Sequence, residues 1–420
     1  MIELLAFPLA LAGAALIPKL TNEKGDIKEI FENIGFGITR KDGEKIYPKF
    51  KKKLPIKDGE ETIGTKYVYS IPKGLPATKI AEMESKLNIF SDGLNKPVIL
   101  KYEEIVNRSR DDDNLYPKYL VVKVFNRDIP RMFPYNKLVK DYNSWSVPIG
   151  MGLEGLITHN FEKVPHMTVA GTTRFGKTVY LKMLLTYLIE THPDDVEVYI
   201  IDLKGGLEFS RYEQLKQVKM VASNPDEAHK MLTFINLLMQ ADYINFKKNY
   251  FSNIADTSIR RRRFIIVDEA AQLAPEKWMS KGEKEILGEC QSKLGEIARI
   301  GGGLGYREVF CTQYPTSDSL PRSIKQNADA KISFRLPSDY ASKVAIDTTG
   351  AEELPSNIQG RALFKTHELK GMQAPYISNN EMWSRLEKYQ VSMVMEAKID
   401  EHIEHSKEEE STGENLIKFG

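Results

Sequence analysis

From residue 147 onward, short apolar runs alternate with longer amphipathic stretches. Residues 164–170, 196–202 (VEVYIID), 264–268 (FIIVD), 308–313 (EVFCTQ) and 330–336 (AKISFRL) read as strands. Between them, residues 177–189, 225–248 and 283–299 carry apolar positions at helical spacing. Strands buried on both faces and alternating with helices predict a mostly parallel sheet covered by helices on either side. Ligands of such sheets bind beyond the carboxyl ends of the strands. Before residue 147 the rhythm differs: a strand at 67–71, a helix within 76–94, then strands at 97–102 and 119–125. This is a small α+β unit with no chemical motif.

The pattern divides the chain into an apolar segment at 1–35, a small α+β domain at 36–146, an α/β domain at 147–377 and a polar acidic tail at 378–420. Residues 2–17 (IELLAFPLALAGAALI) are almost wholly apolar and fall just short of a full membrane span. Lysines follow the run rather than precede it, which argues against a cleaved signal peptide and places the remainder in the cytoplasm. A membrane anchor and a docked, buried helix are the two readings of this run. Residues 40–53 (RKDGEKIYPKFKKK) are dense in lysine. They read as a solvated loop, with a phosphate-facing or lipid-facing patch as the sharper alternative.

Composition changes this picture little. Hydrophobic residues make up 41% and charged residues 28%, as in a globular protein with a core. A net charge of +1 excludes a uniformly basic coat but not a local basic face. Two cysteines, Cys290 and Cys311, are too few for a disulfide framework and lack metal-site spacing.

Chemistry enters at the strand ends. Gly171, Thr172, Thr173, Arg174, Phe175, Gly176, Lys177 and Thr178 fit the phosphate-loop pattern G-x-x-x-x-G-K-[ST] at every fixed position, between an apolar strand and a helix. Glycines let the backbone turn its N–H groups toward phosphate oxygens, and the helix start adds its positive dipole end. Lys177 is expected on the β- and γ-phosphates of ATP, and Thr178 on Mg²⁺. Asp268 and Glu269 end the 264–268 strand. Asp268 suits Mg²⁺ and Glu269 suits activation of the attacking water. Gln313 ends another strand, where its amide could sense phosphate or align water. Asp202 and Lys204 in DLKGG either line the same crevice or only form a turn. Four arginines, Arg260, Arg261, Arg262 and Arg263, precede the strand that leads to Asp268. They read as a solvated basic turn, with DNA, lipid headgroups or a subunit contact as alternatives. The expected fold is α/β: a P-loop NTPase (RecA-like) domain with a mostly parallel sheet, preceded by a small α+β domain.

Over about residues 147–377 the chain resembles the FtsK/SpoIIIE family of DNA translocases. Residues 165–173 (PHMTVAGTT), 202–208 (DLKGGLE), 267–271 (VDEAA), 298–313, 324–336 (IKQNADAKISFRL) and 350–354 (GAEEL) are similar to six motifs of that family in the same order. The resemblance implies an ATPase that couples hydrolysis to DNA movement, a homo-hexameric ring with DNA in its channel, and ATP bound between subunits. It also implies an arginine reaching the γ-phosphate from the neighbouring subunit. Arg299 matches the first arginine of the family's A-R-x-G-R stretch, and Gly302 stands where the second would be. Arg335 and Arg322 are the other candidates. The stretch after residue 377 is short and acidic for the family's DNA-reading winged helix. At most one membrane segment is expected. This layout is similar to coupling proteins of Gram-positive conjugative elements, which implies relaxase or transfer-channel partners and a place at the cytoplasmic face of the cell membrane. A role in plasmid or chromosome segregation and a protein-secretion ATPase are the alternatives.

Overall fold

The computed structural model describes residues 22–76, 78–79, 87–104, 118–316 and 322–391. The apolar run at 2–17 lies outside the described residues. No helix among the described residues is long and apolar enough to cross a membrane. The chain forms two compact units, Met1–Asp128 and Ile129–Gly420.

The smaller unit contains α1 (Glu23–Asn33), a short hairpin of β1 (Ile38–Thr39) and β2 (Lys45–Ile46), the long strands β3 (Lys49–Asp58) and β4 (Glu61–Ser70), α2 (Leu87–Leu94), β5 (Val98–Glu104) and β6 (Lys118–Phe125). The four long strands form an antiparallel sheet in the order β3-β4-β6-β5. The Asn22 side chain caps α1 by accepting from the Gly25 N–H. Ile27, Ile30 and Phe31 of α1 then pack with Phe90 of α2 on Tyr67, Tyr69 and Val122 of the sheet. Helix α1 therefore shares the core of this unit rather than belonging to a separate leader. Residues 49–53, expected in a loop, open the edge strand β3. Its lysines are exposed, and lysines on an edge strand discourage pairing with another chain.

The larger unit contains β7 (Phe133–Pro134), β8 (Ser146–Gly152), β9 (Gly155–Asn160), β10 (Met167–Ala170), α3 (Lys177–Thr191), β11 (Val196–Ile201), β12 (Val218–Ala222), α4 (Pro225–Lys248), β13 (Arg262–Val267), α5 (Lys281–Ile300), β14 (Tyr306–Thr312), α6 (Arg322–Asn327), β15 (Ala330–Phe334), α7 (Asp339–Ile346), β16 (Arg361–Lys365), β17 (Leu369–Gln373), β18 (Pro375–Tyr376) and α8 (Asn379–Leu386). Its main sheet runs β12-β11-β13-β14-β10-β15-β16-β17-β8-β9. The first six strands are parallel and the last four antiparallel. Two apolar layers cover the sheet. One packs Leu181, Leu184 and Leu188 of α3 on Val169, Val198 and Ile266. The other packs Met231 and Ile235 of α4 with Leu287 and Leu294 of α5 on Ile265 and Phe310.

Two expected boundaries differ from this arrangement. Residues 129–146 fall in the larger unit, because β7 pairs with β18 and Phe133, Tyr135 and Trp145 enter its core. Residues 379–389 are not a solvated tail. Met382 and Leu386 of α8, four apart on one helical face, are buried in that same core. Cys290 and Cys311 are buried and unpaired.

Candidate functional site

The phosphate-loop residues lie between β10 and α3, at the carboxyl end of the parallel sheet. Gly176 adopts φ +117, where a Cβ would sit 3.1 Å from Gly360 Cα and 3.2 Å from the Phe334 ring. A Cβ on Gly171 would meet Phe334 Cβ at 2.7 Å. Both positions therefore need glycine, one for its backbone angle and both for lack of space. Arg174 is exposed and also at positive φ, +73. No side chain caps α3, so its first-turn N–H groups are open to an anion. Thr178 stands half-buried in that first turn. Backbone bonds fix the loop from outside. Gly171 N donates to Thr312 O, Thr172 N to Arg335 O, and Gly360 N to Phe175 O at 3.0 Å.

Strand β14 stands between β10 and β13. The loop and the end of β13 are thus two strand spacings apart, about 10 Å, a gap that a lysine side chain can bridge. Lys177 does so. Its Nζ donates to the Asp268 carbonyl oxygen at 2.5 Å and to Asp268 Oδ1 at 3.2 Å, and lies 3.7 Å from Glu269 Oε2. All three residues are buried.

Lys204 completes the cluster from the end of β11. Its Nζ is 3.1 Å from Asp268 Oδ2 and 3.4 Å from Glu269 Oε2. Burial works against this ammonium, but Asp268 and then Glu269 outweigh it and raise its pKa above the ordinary lysine value. Asp202, fully buried, does not reach the cluster. It accepts from the backbone of Lys204 and Glu208 and so shapes the turn that aims Lys204. Of the two readings of DLKGG, Asp202 takes the turn and Lys204 the crevice.

Glu269 is held from its other side. Its Oε1 accepts from Gln313 N at 3.1 Å and lies 3.4 Å from the Thr312 hydroxyl. The Gln313 side-chain oxygen in turn accepts from the Thr173 hydroxyl at 3.0 Å. The ends of β10, β11, β13 and β14 thereby bring together Lys177, Lys204, Asp268, Glu269 and Gln313.

The arginines are distributed differently. Arg299 is exposed in the last turn of α5, before β14 begins. It lies toward the amino ends of the strands, whereas Gln313 follows the carboxyl end of β14. The Arg335 carbonyl touches the phosphate loop, but its guanidinium donates to the Leu354 carbonyl. Arg322 opens α6. The four-arginine run is not a solvated turn throughout. Arg262 and Arg263 are buried in β13. Arg262 makes a two-pronged pair with Glu162, at 2.7 and 2.8 Å. Arg263 bonds Glu197 and Asp242. Arg307, 1% exposed, adds a second guanidinium on Glu162 at 2.9 Å. Arg260 is exposed beside Asp195.

The FtsK/SpoIIIE family matches residues 135–355. Among curated relatives, the DNA translocase FtsK of Leptospira interrogans is 25% identical over 371 residues, covering 81% of this chain and 36% of the relative. That of Lactococcus lactis is 29% identical over 260 residues, covering 57% and 32%. The chain thus spans about a third of the length of the curated relatives it matches. Among solved structures it is similar to the pCW3 conjugation coupling protein TcpA, in a monomer form with ATPγS. The TM-score is 0.59 at 21% identity, with 87% of this chain and 99% of that one covered. EssC ATPases 2 and 3 from Geobacillus thermodenitrificans share the fold at a TM-score of 0.52 and 16% identity, with 66% and 53% covered.

Proposed function

The chain belongs to the FtsK/SpoIIIE family, and from that premise we propose that it is an ATPase that moves DNA. The observation that carries this reading is the convergence of Lys177, Asp268, Glu269 and Gln313 at the mouth of a glycine-built phosphate loop. The donor set fits a nucleoside triphosphate: two glycines let the loop pack tightly on Phe334 and Gly360, and an uncapped helix start is left open to an anion. Bound ATP–Mg²⁺ would supply the phosphoanhydride bond and the ion that screens its oxygens.

The residues then divide the work. Lys177 exchanges its bonds to Asp268 for phosphate oxygens. Thr178 and Asp268 would hold the ion. Glu269, fixed through Oε1 by Gln313 N, presents Oε2 to accept a proton from water. The Gln313 amide aligns that water. Once Lys177 is drawn away, Lys204 is the side-chain cation left beside Asp268 and Glu269, and it eases the repulsion between the two carboxylates. Arg299 is the better trans arginine than Arg335, because it is exposed while the Arg335 guanidinium is already bonded within its own chain.

We assign the assembled form as a homo-hexamer with DNA in its channel, and the setting as the coupling of DNA to a conjugative transfer channel. The shared layout with TcpA over 87% of this chain supports that setting. The apolar run at 2–17 would hold the protein to the cytoplasmic face of the membrane.

The test is ATP hydrolysis by the full chain, with and without double-stranded DNA, at two salt concentrations. DNA stimulation that fades with salt is expected, since lysine and arginine contacts to phosphates release counterions. Hydrolysis indifferent to single- and double-stranded DNA would replace this reading with a protein-moving motor. Glu269→Gln is expected to cut turnover about 10²–10³-fold while nucleotide affinity stays within about threefold of wild type.

A further inference from the structure

A cleft of about 670 Å³ opens in the smaller unit between α1, the β1–β2 hairpin and the start of β3. Ligand sites commonly have this size. Five cations line it: Lys24 and Lys28 from α1, Arg40 and Lys45 from the hairpin, and Lys49 from β3. Among the described residues only Glu32 and Glu44 stand against them, which leaves an excess of three positive charges. Those two carboxylates are engaged locally. Lys28 lies 3.4 Å from Glu32, and Arg40 lies 2.7 Å from Glu44. The Lys24 ammonium sits 4.3 Å over the Phe50 ring. Lys45 and Lys49 have no carboxylate partner among the described residues.

A second observation is independent of the charge. Tyr69 lines the cleft and is only 1% exposed, yet its Oη has no hydrogen-bond partner among the described residues. A buried hydroxyl without a partner is unfavourable. Burial also pushes its pKa up, so the phenol stays protonated and can donate. Cations and a buried neutral donor on one concavity suit a phosphate oxygen.

We propose that this cleft binds the phosphate of an anionic phospholipid headgroup, with Lys24, Lys45, Lys49 and the Tyr69 hydroxyl as donors. The apolar run ends at Ile17, five residues before Asn22, which also lines the cleft. Five residues span at most about 17 Å, so a bilayer that takes up the run has headgroups within reach. A nucleic acid would call for a groove that tracks a backbone, and these cations converge on one pocket instead. The inference rests on the membrane placement of residues 2–17 proposed above.

The test is flotation of the full chain with vesicles of phosphatidylcholine alone and of phosphatidylcholine with about one-third phosphatidylglycerol. Wild type is expected to bind both and to prefer the anionic vesicles. The Lys45→Gln/Lys49→Gln variant changes two exposed side chains. It should lose about 25-fold in affinity for anionic vesicles and none for neutral ones. Tyr69→Phe should weaken anionic binding severalfold. Equal binding of the double variant and wild type to anionic vesicles overturns the proposal. So does a loss confined to double-stranded DNA, which would make the cleft a nucleic-acid site. Thermal stabilisation of wild type but not the double variant by inorganic phosphate, without any lipid preference, assigns the cleft to free phosphate and overturns the lipid source. Failure of wild type to bind either vesicle removes the membrane placement itself, a result separate from loss of lipid preference.

Discussion

Both ends of the parallel sheet in the larger unit carry buried charge, and they use it in opposite ways. At the amino ends, Arg262, Arg263 and Arg307 are each tied to carboxylates, with Glu162 bonded by two guanidiniums at 2.7–2.9 Å and Arg261 reaching Glu197 only at 4.0 Å. At the carboxyl ends, two lysines share Asp268 and Glu269, and the longer contacts reach 3.4 and 3.7 Å. Arginine presents a rigid planar fork that fits a carboxylate from fixed directions. Lysine is a point charge on a flexible stem and can change partners cheaply. One end is built to stay closed. The other is built so that its ion pairs can be exchanged for a ligand.

Substitutions can break this contrast. Lys177→Ala should have the largest effect, a loss of about 10³-fold in hydrolysis together with weakened nucleotide binding, read by turnover and by titration with a fluorescent ATP analogue. Its folding stability should change little by comparison, because Lys204 still faces both carboxylates. Glu162→Ala should do the reverse. It leaves the buried Arg307 without its carboxylate and should cost about 3 kcal/mol in urea unfolding. The Glu162 pKa is set first by burial, which raises it, and is lowered on balance by Arg262 and Arg307. Its stabilisation is therefore present above the ordinary glutamate range and disappears as the pH falls through the lowered value. A variant whose unfolding midpoint matched wild type at neutral pH would end the claim that this end is structural.

Lys204→Met should lower kcat about tenfold, as loss of a supporting contact to a catalytic carboxylate does. KM should move less than threefold, and Lys204→Arg should restore most of the rate. A rise in KM without a change in kcat would make Lys204 a substrate-binding group instead. The smallest effect is expected at Glu308, fully buried in β14 with neither carboxylate oxygen bonded among the described residues. Burial raises its pKa well above the ordinary value. Its contribution is therefore favourable at acid pH and is lost as the pH rises toward the raised value. Glu308→Gln should stabilise the protein by about 1 kcal/mol at pH 8 and by less at pH 5, measured by thermal unfolding.

The carboxyl-end site was largely legible because its parts are local. A phosphate loop, an apolar strand ending in Asp-Glu and another ending in Thr-Gln each declare themselves within eight residues. Lys204 was legible only as one of two options, since a lysine after a strand suits a turn as well as a crevice. The amino-end network was not legible at all. The partner of Arg262 lies 100 residues away at Glu162, and four consecutive arginines look alike until the register of β13 buries two of them. Strand β3 was hidden because lysine is a poor strand former and only pairing with β4 enforces extension. Helix α8 was hidden because its two core residues stand in a polar stretch, and a two-residue apolar signal is weak.

The bond from Gly360 N to Phe175 O joins the phosphate loop to the turn before β16. Ala374 N, just past β17, donates to the Gly360 carbonyl at 2.8 Å, and Gln373 pairs with Met151 of β8. The loop is therefore one anchorage of a continuous backbone cable that crosses the antiparallel half of the sheet. Any displacement of the loop would strain these bonds. Parting them costs roughly 1 kcal/mol for each bond, so for small displacements the loop is expected to move together with the β16, β17 and β8 strands inside the sheet.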